Sequence, residues 1–112
     1  MLLNSKATAR DIMATDVYAA RKTDRILYVT KQLCTRGFSG APVIDEKRRL
    51  IGMLSEKDCI DSFLSTVYHN RPLPFVGDIM THNVITVEED ADLLSLAYLF
   101  VNKSLRRVPV VR

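Results

Sequence analysis

Cysteine is nearly missing from this 112-residue sequence, with Cys34 and Cys59 its only two thiols. Two thiols do not make a disulfide scaffold, and nothing else points to a secreted chain. No Cys-x-x-Cys or His-x-x-x-His spacing occurs, so a metal reading of Cys34, Cys59, His69 and His82 gives way to core packing. Long apolar runs are also lacking: none approaches the ~20 residues that span a bilayer. The start, Met1-Leu2-Leu3-Asn4-Ser5-Lys6, has no signal-peptide core. A chain located in the cytoplasm, away from membranes, is expected. Charge of one sign is not in excess either. Lys and Arg number 16 against 13 Asp and Glu, a net +3. That falls well short of a nucleic-acid-binding tail. There is no Gly-x-Gly-x-x-Gly, no phosphate loop and no nucleophile elbow, so catalysis has no residues to rest on. An enzyme is not expected.

What is present is a globular balance, 47% hydrophobic and 26% charged. The length allows one compact domain or two very small repeats. The repeats are there. Asp11-Ile12-Met13 returns as Asp78-Ile79-Met80, an offset of 67. At that offset, without gaps, Val17 falls on Val84, Pro42 on Pro109 and Val43 on Val110. Ile26 pairs with Leu93, Leu27 with Leu94, Val29 with Leu96, Leu33 with Phe100, Cys34 with Val101 and Ile44 with Val111. The match runs from 11–45 to 78–112.

Each copy reads as the same local structure. Val17–Ala20 and Val84–Val87 suggest short strands. Thr23 and Asp90 are candidate caps for the helices that follow. Ile26, Val29, Thr30, Leu33 and Cys34, like Leu93, Leu96, Ala97, Phe100 and Val101, make one apolar stripe each. Gly37 suits a left-handed helix stop. Ala41–Ile44 and Val108–Val111 follow as strands, with proline near the strand start. The first copy continues through a charged turn at 45–49 and a strand at 50–54. Its second helix then puts Ile60, Phe63, Leu64 and Val67 on one face. The expected organisation is an α+β fold of tandem β-α-β-β-α units: 9–68, a proline-bearing linker at 69–75, and 76–112. The first copy's Gly52, Ser55 and Asp58 have counterparts only at 119, 122 and 125, so the second unit is expected to be C-terminally incomplete.

Two strings carry a family. Ala41-Pro42-Val43-Ile44-Asp45 and Gly52-Met53-Leu54-Ser55-Glu56-Lys57-Asp58, set within this repeat, resemble the CBS domain, named after cystathionine beta-synthase. The resemblance implies a tandem pair with pseudo-two-fold symmetry that often pairs again into a homodimer. It implies a regulatory module without catalytic machinery. Many such modules bind AMP, ADP, ATP or S-adenosylmethionine between the repeats and so regulate an attached or associated enzyme or transporter, while some bind no known ligand. On this pattern Asp58 would take ribose hydroxyls and Ser55 would meet phosphate oxygens at a helix start. His82, Val84 and Ile85, from the first strand of the other repeat, would line the adenine or phosphate. Arg106, three residues before Pro109, would hold a phosphate, whereas Ser39 stands at that place in the first copy. Arg36, Lys57 and Lys103 could add charge nearby.

Each residue also has a plainer reading. Ser55-x-x-Asp58 before an apolar helix is a capping box. Val84 and Ile85 suit ordinary strand core, His82 a solvated loop, and the cations a solvated surface. Two other functions therefore stand beside ligand sensing. One is a ligand-free dimerisation scaffold. The other, weaker, is a nucleic-acid binder leaning on Arg48, Arg49, Arg106, Arg107 and Arg112.

Overall fold

A computed structural model describes residues 7–105 and 107–111. Among the described residues the elements run α1 (Ala9–Ile12), α2 (Ile26–Arg36), β1 (Gly40–Ile44), β2 (Leu50–Ser55), α3 (Glu56–His69), α4 (Val76–Ile79), β3 (Val87–Glu88), α5 (Leu93–Asn102) and β4 (Val110–Val111). This is a small α+β fold. The chain divides into two compact units, one built from 16–84 and the other from 1–15 together with 85–112.

In the 16–84 unit, β1 and β2 pair antiparallel, with Val43 opposite Gly52 and Ile44 opposite Leu50. Asp45 organises their turn by accepting hydrogen bonds from the Lys47 and Arg49 amides at 2.8 and 2.9 Å. Ala20 extends the sheet through a parallel bridge to Val43. The helices α2 and α3 pack together over this sheet. Ile26, Val29, Leu33, Ala41, Val43, Leu54, Cys59 and Val76 form the core. Gly37 ends α2 at φ 70°, and the Phe38 amide reaches back to the Leu33 carbonyl at 2.9 Å.

Val76 comes from the second copy's Asp-Ile-Met segment, which folds here as α4. Its Val76 and Gly77 amides donate to the Asp24 and Lys22 carbonyls at 3.0 and 2.9 Å. The other unit repeats the arrangement with the first copy's segment. There the Ala9 and Arg10 amides of α1 donate to the Ala91 and Glu89 carbonyls at 2.8 and 2.9 Å. Repeats and compact units are thus cut at different places, because each copy lends its Asp-Ile-Met segment to the other's unit. The aspartate has a local purpose. Asp11 accepts from the Thr8 amide at 2.8 Å and Asp78 from the Phe75 amide at 2.9 Å, satisfying donors at each short helix's start.

In the unit of 1–15 and 85–112, β3 pairs parallel with β4, setting Val87 opposite Val110. Its core is Ala9, Val87 and Leu96, with Leu93, Leu99, Phe100, Val108 and Val110 half-buried around them.

Several expectations need correction. Thr23 and Asp90 do not cap the helices; they sit in turns that delay each helix start by two residues, to Arg25 and Asp92. Asp92 accepts from the Ser95 amide at 2.7 Å, whereas Arg25 supplies no side-chain cap. Of residues 17–20 only Ala20 pairs, so the first early strand shrinks to a bridge. The helix α3 extends through His69 and buries Cys59 and Ser62, leaving Ile60, Leu64 and Val67 exposed. Of the expected face only Phe63 packs against the core; the small Cys59 and Ser62 beside it let the helix lie close against α2 and β2. Cys34 is exposed rather than part of the packed stripe.

Candidate functional site

The Gly52–Asp58 string forms the last half of β2 and the first turn of α3. A strand that ends on an extended Ser55 (φ −106°, ψ 159°) leaves its side chain free to cap. Ser55 Oγ accepts from the Asp58 amide at 3.1 Å, and Asp58 Oδ2 accepts from the Ser55 amide at 2.9 Å. The capping box is therefore formed. The Glu56 amide donates to the Ser39 carbonyl at 2.8 Å, tying the same turn to the residue before β1. Both Ser55 and Asp58 are half-buried. Two of the amides that an anion would seek at this helix start are already engaged within the chain.

Gly52 answers a different demand. A β-carbon there would lie 2.6 Å from the Met80 sulfur and 3.0 Å from the Thr81 carbonyl oxygen. Thr81 pairs with the neighbouring Met53 by two backbone hydrogen bonds of 2.9 and 2.8 Å. The Met80 side chain and the Thr81 backbone thus lie directly on β2, and a side chain at 52 would have to push them away. His82, Asn83 and Val84 follow from this anchor within the same unit. His82 is exposed and Val84 half-buried. The Val84 amide donates to the His82 carbonyl at 3.1 Å, closing a tight turn, so this amide is occupied. The sequence reading overlooked the role of Met80 and Thr81. A glycine inside an otherwise apolar strand was the signal for a close backbone neighbour.

The remaining candidates separate. Ile85 belongs to the other unit and is exposed. Arg106 and Arg112 lie outside the described residues. Lys57 is paired with Asp61 at 2.8 Å, one helical turn away. The Arg36 guanidinium sits 5.2 Å over the Tyr18 ring. Burial pushes the Tyr18 hydroxyl up to about 12. Burial likewise raises the Cys59 thiol, the mark of an inert core cysteine. Among the described residues no three or more His, Cys, Asp or Glu side chains converge as metal ligands, and no helix is long and apolar enough to cross a membrane.

One unit thus seats a neighbouring segment on a glycine and caps its helix with Ser-x-x-Asp, within a chain whose sequence pattern repeats at an offset of 67. The CBS domain family matches residues 9–65 and 76–112, and the chain belongs to it. Among relatives, it is 29% identical over 101 residues to the uncharacterized protein MK0525 of Methanopyrus kandleri, covering 90% of this chain and 51% of that one. It is 28% identical over 102 residues to MJ1225 of Methanocaldococcus jannaschii, covering 91% and 35%. The chain therefore spans about half the length of the first and about a third of the second. Among solved structures, CBSX2 in complex with AMP is similar at 26% identity and TM-score 0.82, covering 93% of this chain and 81% of that one. The CBS domain pair of MJ0100, in complex with 5-methylthioadenosine and S-adenosylmethionine, is similar at 25% and 0.80, covering 95% and 84%.

Proposed function

We propose that this chain is a regulatory CBS pair that binds an adenosine-containing ligand, from the set AMP, ADP, ATP and S-adenosylmethionine. Asp58 and Ser55 are its polar contacts and His82 and Val84 its neighbouring wall, all four from the 16–84 unit. The observation that carries the reading is the close seating of 80–81 on Gly52 and Met53, which anchors the 82–84 turn on the strand that leads into the Ser55–Asp58 turn. The solved pairs with AMP and with S-adenosylmethionine support the ligand class. A half-buried carboxylate suits the cis-diol of a ribose, because its two oxygens can accept two hydroxyl donors. Binding would shift the equilibrium between conformations of the pair, and an enzyme or transporter partner would read the shift. The module itself is not an enzyme, and its setting is the cytoplasm.

Isothermal titration with the four ligands on the wild type, Asp58→Asn and Asp58→Ala tests this. Asparagine keeps an acceptor for the Ser55 amide, so the helix cap survives while the carboxylate is lost. Loss of binding in both variants is expected; unchanged binding in Asp58→Asn, or none in the wild type, overturns the site.

A second reading has its own observation. Ile60, Leu64, Val67 and Tyr68 are 47, 53, 79 and 83% exposed along one side of α3. An apolar stripe of that kind suits a homodimerisation scaffold in which Ser55 and Asp58 only cap the helix. Thermal melts separate the two, since a bound ligand raises Tm by mass action and a scaffold shows no shift.

A further inference from the structure

The short helices α1 and α4, 67 residues apart, dock through the same backbone bonds. The Arg10 amide donates to the Glu89 carbonyl and the Gly77 amide to the Lys22 carbonyl, each at 2.9 Å. The side chains at these matched places differ in kind. Beside α1 they pair, the Arg10 guanidinium reaching Glu89 Oε2 through Nε at 3.1 Å and a terminal nitrogen at 2.8 Å. Beside α4, position 77 has no side chain and position 22 is a lysine. The place that an ion pair spans in one unit is an open groove in the 16–84 unit. Its volume is about 420 Å³, and Lys22, Thr23, Phe75, Gly77 and Asp78 line it. Small-molecule sites begin at roughly 300 Å³.

The groove offers both charges and an apolar wall. Among the described residues Lys22 forms no ion pair. Asp78 accepts the Phe75 amide on Oδ2 at 2.9 Å, and its Oδ1 has no partner among them. The two opposite charges therefore line one groove without pairing with each other, and both are exposed, so a ligand reaches them without the chain opening. Phe75 is 44% exposed, and the Arg25 guanidinium 5.4 Å over its ring steadies it. The amides of 76, 77 and 78 are spent on the Asp24, Lys22 and Phe75 carbonyls, so recognition here falls to side chains. An ammonium and a carboxylate left unpaired on one groove suit a ligand that brings the complementary pair.

We propose that this groove binds a zwitterionic α-amino acid with an apolar side chain. The ligand carboxylate takes the Lys22 ammonium and the Thr23 hydroxyl, the ligand ammonium takes Asp78 Oδ1, and the apolar side chain lies against Phe75. Gly77 keeps the floor open, since a β-carbon there would already lie 3.1 Å from the Lys22 β-carbon. The site shares no residue with the adenosine reading and does not depend on it.

The test titrates the full chain, isotopically labelled, with L-phenylalanine. Expected are saturable shifts of the Lys22, Thr23 and Gly77 amides. Phenylpropanoate lacks the ammonium and phenylethylamine the carboxylate, and each should bind at least about tenfold more weakly. Lys22→Met, at an exposed side chain, should weaken L-phenylalanine by a similar factor. Gly77→Arg together with Lys22→Glu installs the pair that α1 uses on the same backbone bonds, and should abolish the shifts. Absence of saturable shifts overturns the proposal, as does equal binding of either analogue. Unchanged binding in Lys22→Met or in the double variant overturns it too. Shifts centred on Ser55, Asp58 and Val84 also overturn it, because the amino acid then occupies the adenosine site.

Discussion

Leu33 and Phe100 hold the same turn of α2 and α5, 67 residues apart, and differ sharply in surroundings. Leu33 is 1% exposed, between sheet and α3, whereas the larger Phe100 is only half-buried. The same holds at Ile26 against Leu93, Ala41 against Val108 and Val43 against Val110, where the first of each pair is fully buried and the second half-buried. The apolar pattern is equivalent in both units, so pattern alone does not seal a core. What differs is the second layer: β2 and α3 close one unit, and the other has no such cover among its described residues. Area removed from water, rather than the number of apolar residues, sets how much each unit gains.

The most forceful way to break this comparison is to truncate both members of one pair. Leu33→Ala should cost about 3 kcal/mol, in the range for a buried leucine whose cavity cannot collapse. Phe100→Ala should cost less, although it removes more atoms, because much of that ring already meets water. Urea unfolding of the two variants supplies the measurement. A larger loss at Phe100 would mean that the 85–112 side is the better packed, contrary to its exposures.

A second pair concerns the helix stops. Gly37 and Ser104 are counterparts, and both sit in the left-handed region, at φ 70° and 52°. The Phe38 amide bonds to Leu33, and the Leu105 amide repeats that bond to Phe100 at 3.2 Å. Serine carries a β-carbon that is strained there by ~1 kcal/mol or somewhat more, a strain glycine avoids. Ser104→Gly should therefore raise stability by up to ~1 kcal/mol, and Gly37→Ser should lower it by a similar amount. Equal or opposite responses in thermal melts would show that the two stops are not equivalent.

Legibility from sequence divided along physical lines. The repeat, the α+β order, the Gly37 stop and the β1–β2 hairpin were readable, because each rests on local periodicity or a single backbone demand. The caps were misplaced at Thr23 and Asp90, since a turn competes with the helix for those residues and nothing local decides the contest. On α3 the inward place of Phe63 was readable, but Ile60, Leu64 and Val67 outweigh Cys59 and Ser62 in any hydrophobic count and yet lie outward. Tertiary packing chose the small residues for closeness. The exchange of α1 and α4 between units was not visible either. It is a property of the folded chain, and Asp11 and Asp78 show only that a short helix begins. At the site, Ser55 and Asp58 were readable as a cap and as ligand groups together. The reason for Gly52 needed Met80 and Thr81 in place.

Acid offers the gentlest way to sharpen the difference between the units. Among the described residues each has a carboxylate held below the usual range, the half-buried Asp45 and the exposed Asp92. Asp45 is lowered first by the Arg49 amide in the β1–β2 turn, and Asp92 by the Ser95 amide at the start of α5. Such donors favour the charged form, so the folded pKa lies below the unfolded one. Their stabilisation is complete above the unfolded carboxylate value near ~4 and is lost as pH falls through the folded value. Both units should therefore weaken below about pH 4, and the one with the more exposed core should open first. Following amide signals near Phe100 and Leu33 down the titration tests that order. Asp92→Asn keeps a capping oxygen that does not titrate there, so it should remove the acid sensitivity of α5 while leaving the β1–β2 turn as it was. Simultaneous loss of both sets of signals, unchanged in Asp92→Asn, would mean that the units unfold as one and that the exposures of Leu33 and Phe100 do not translate into separate stabilities.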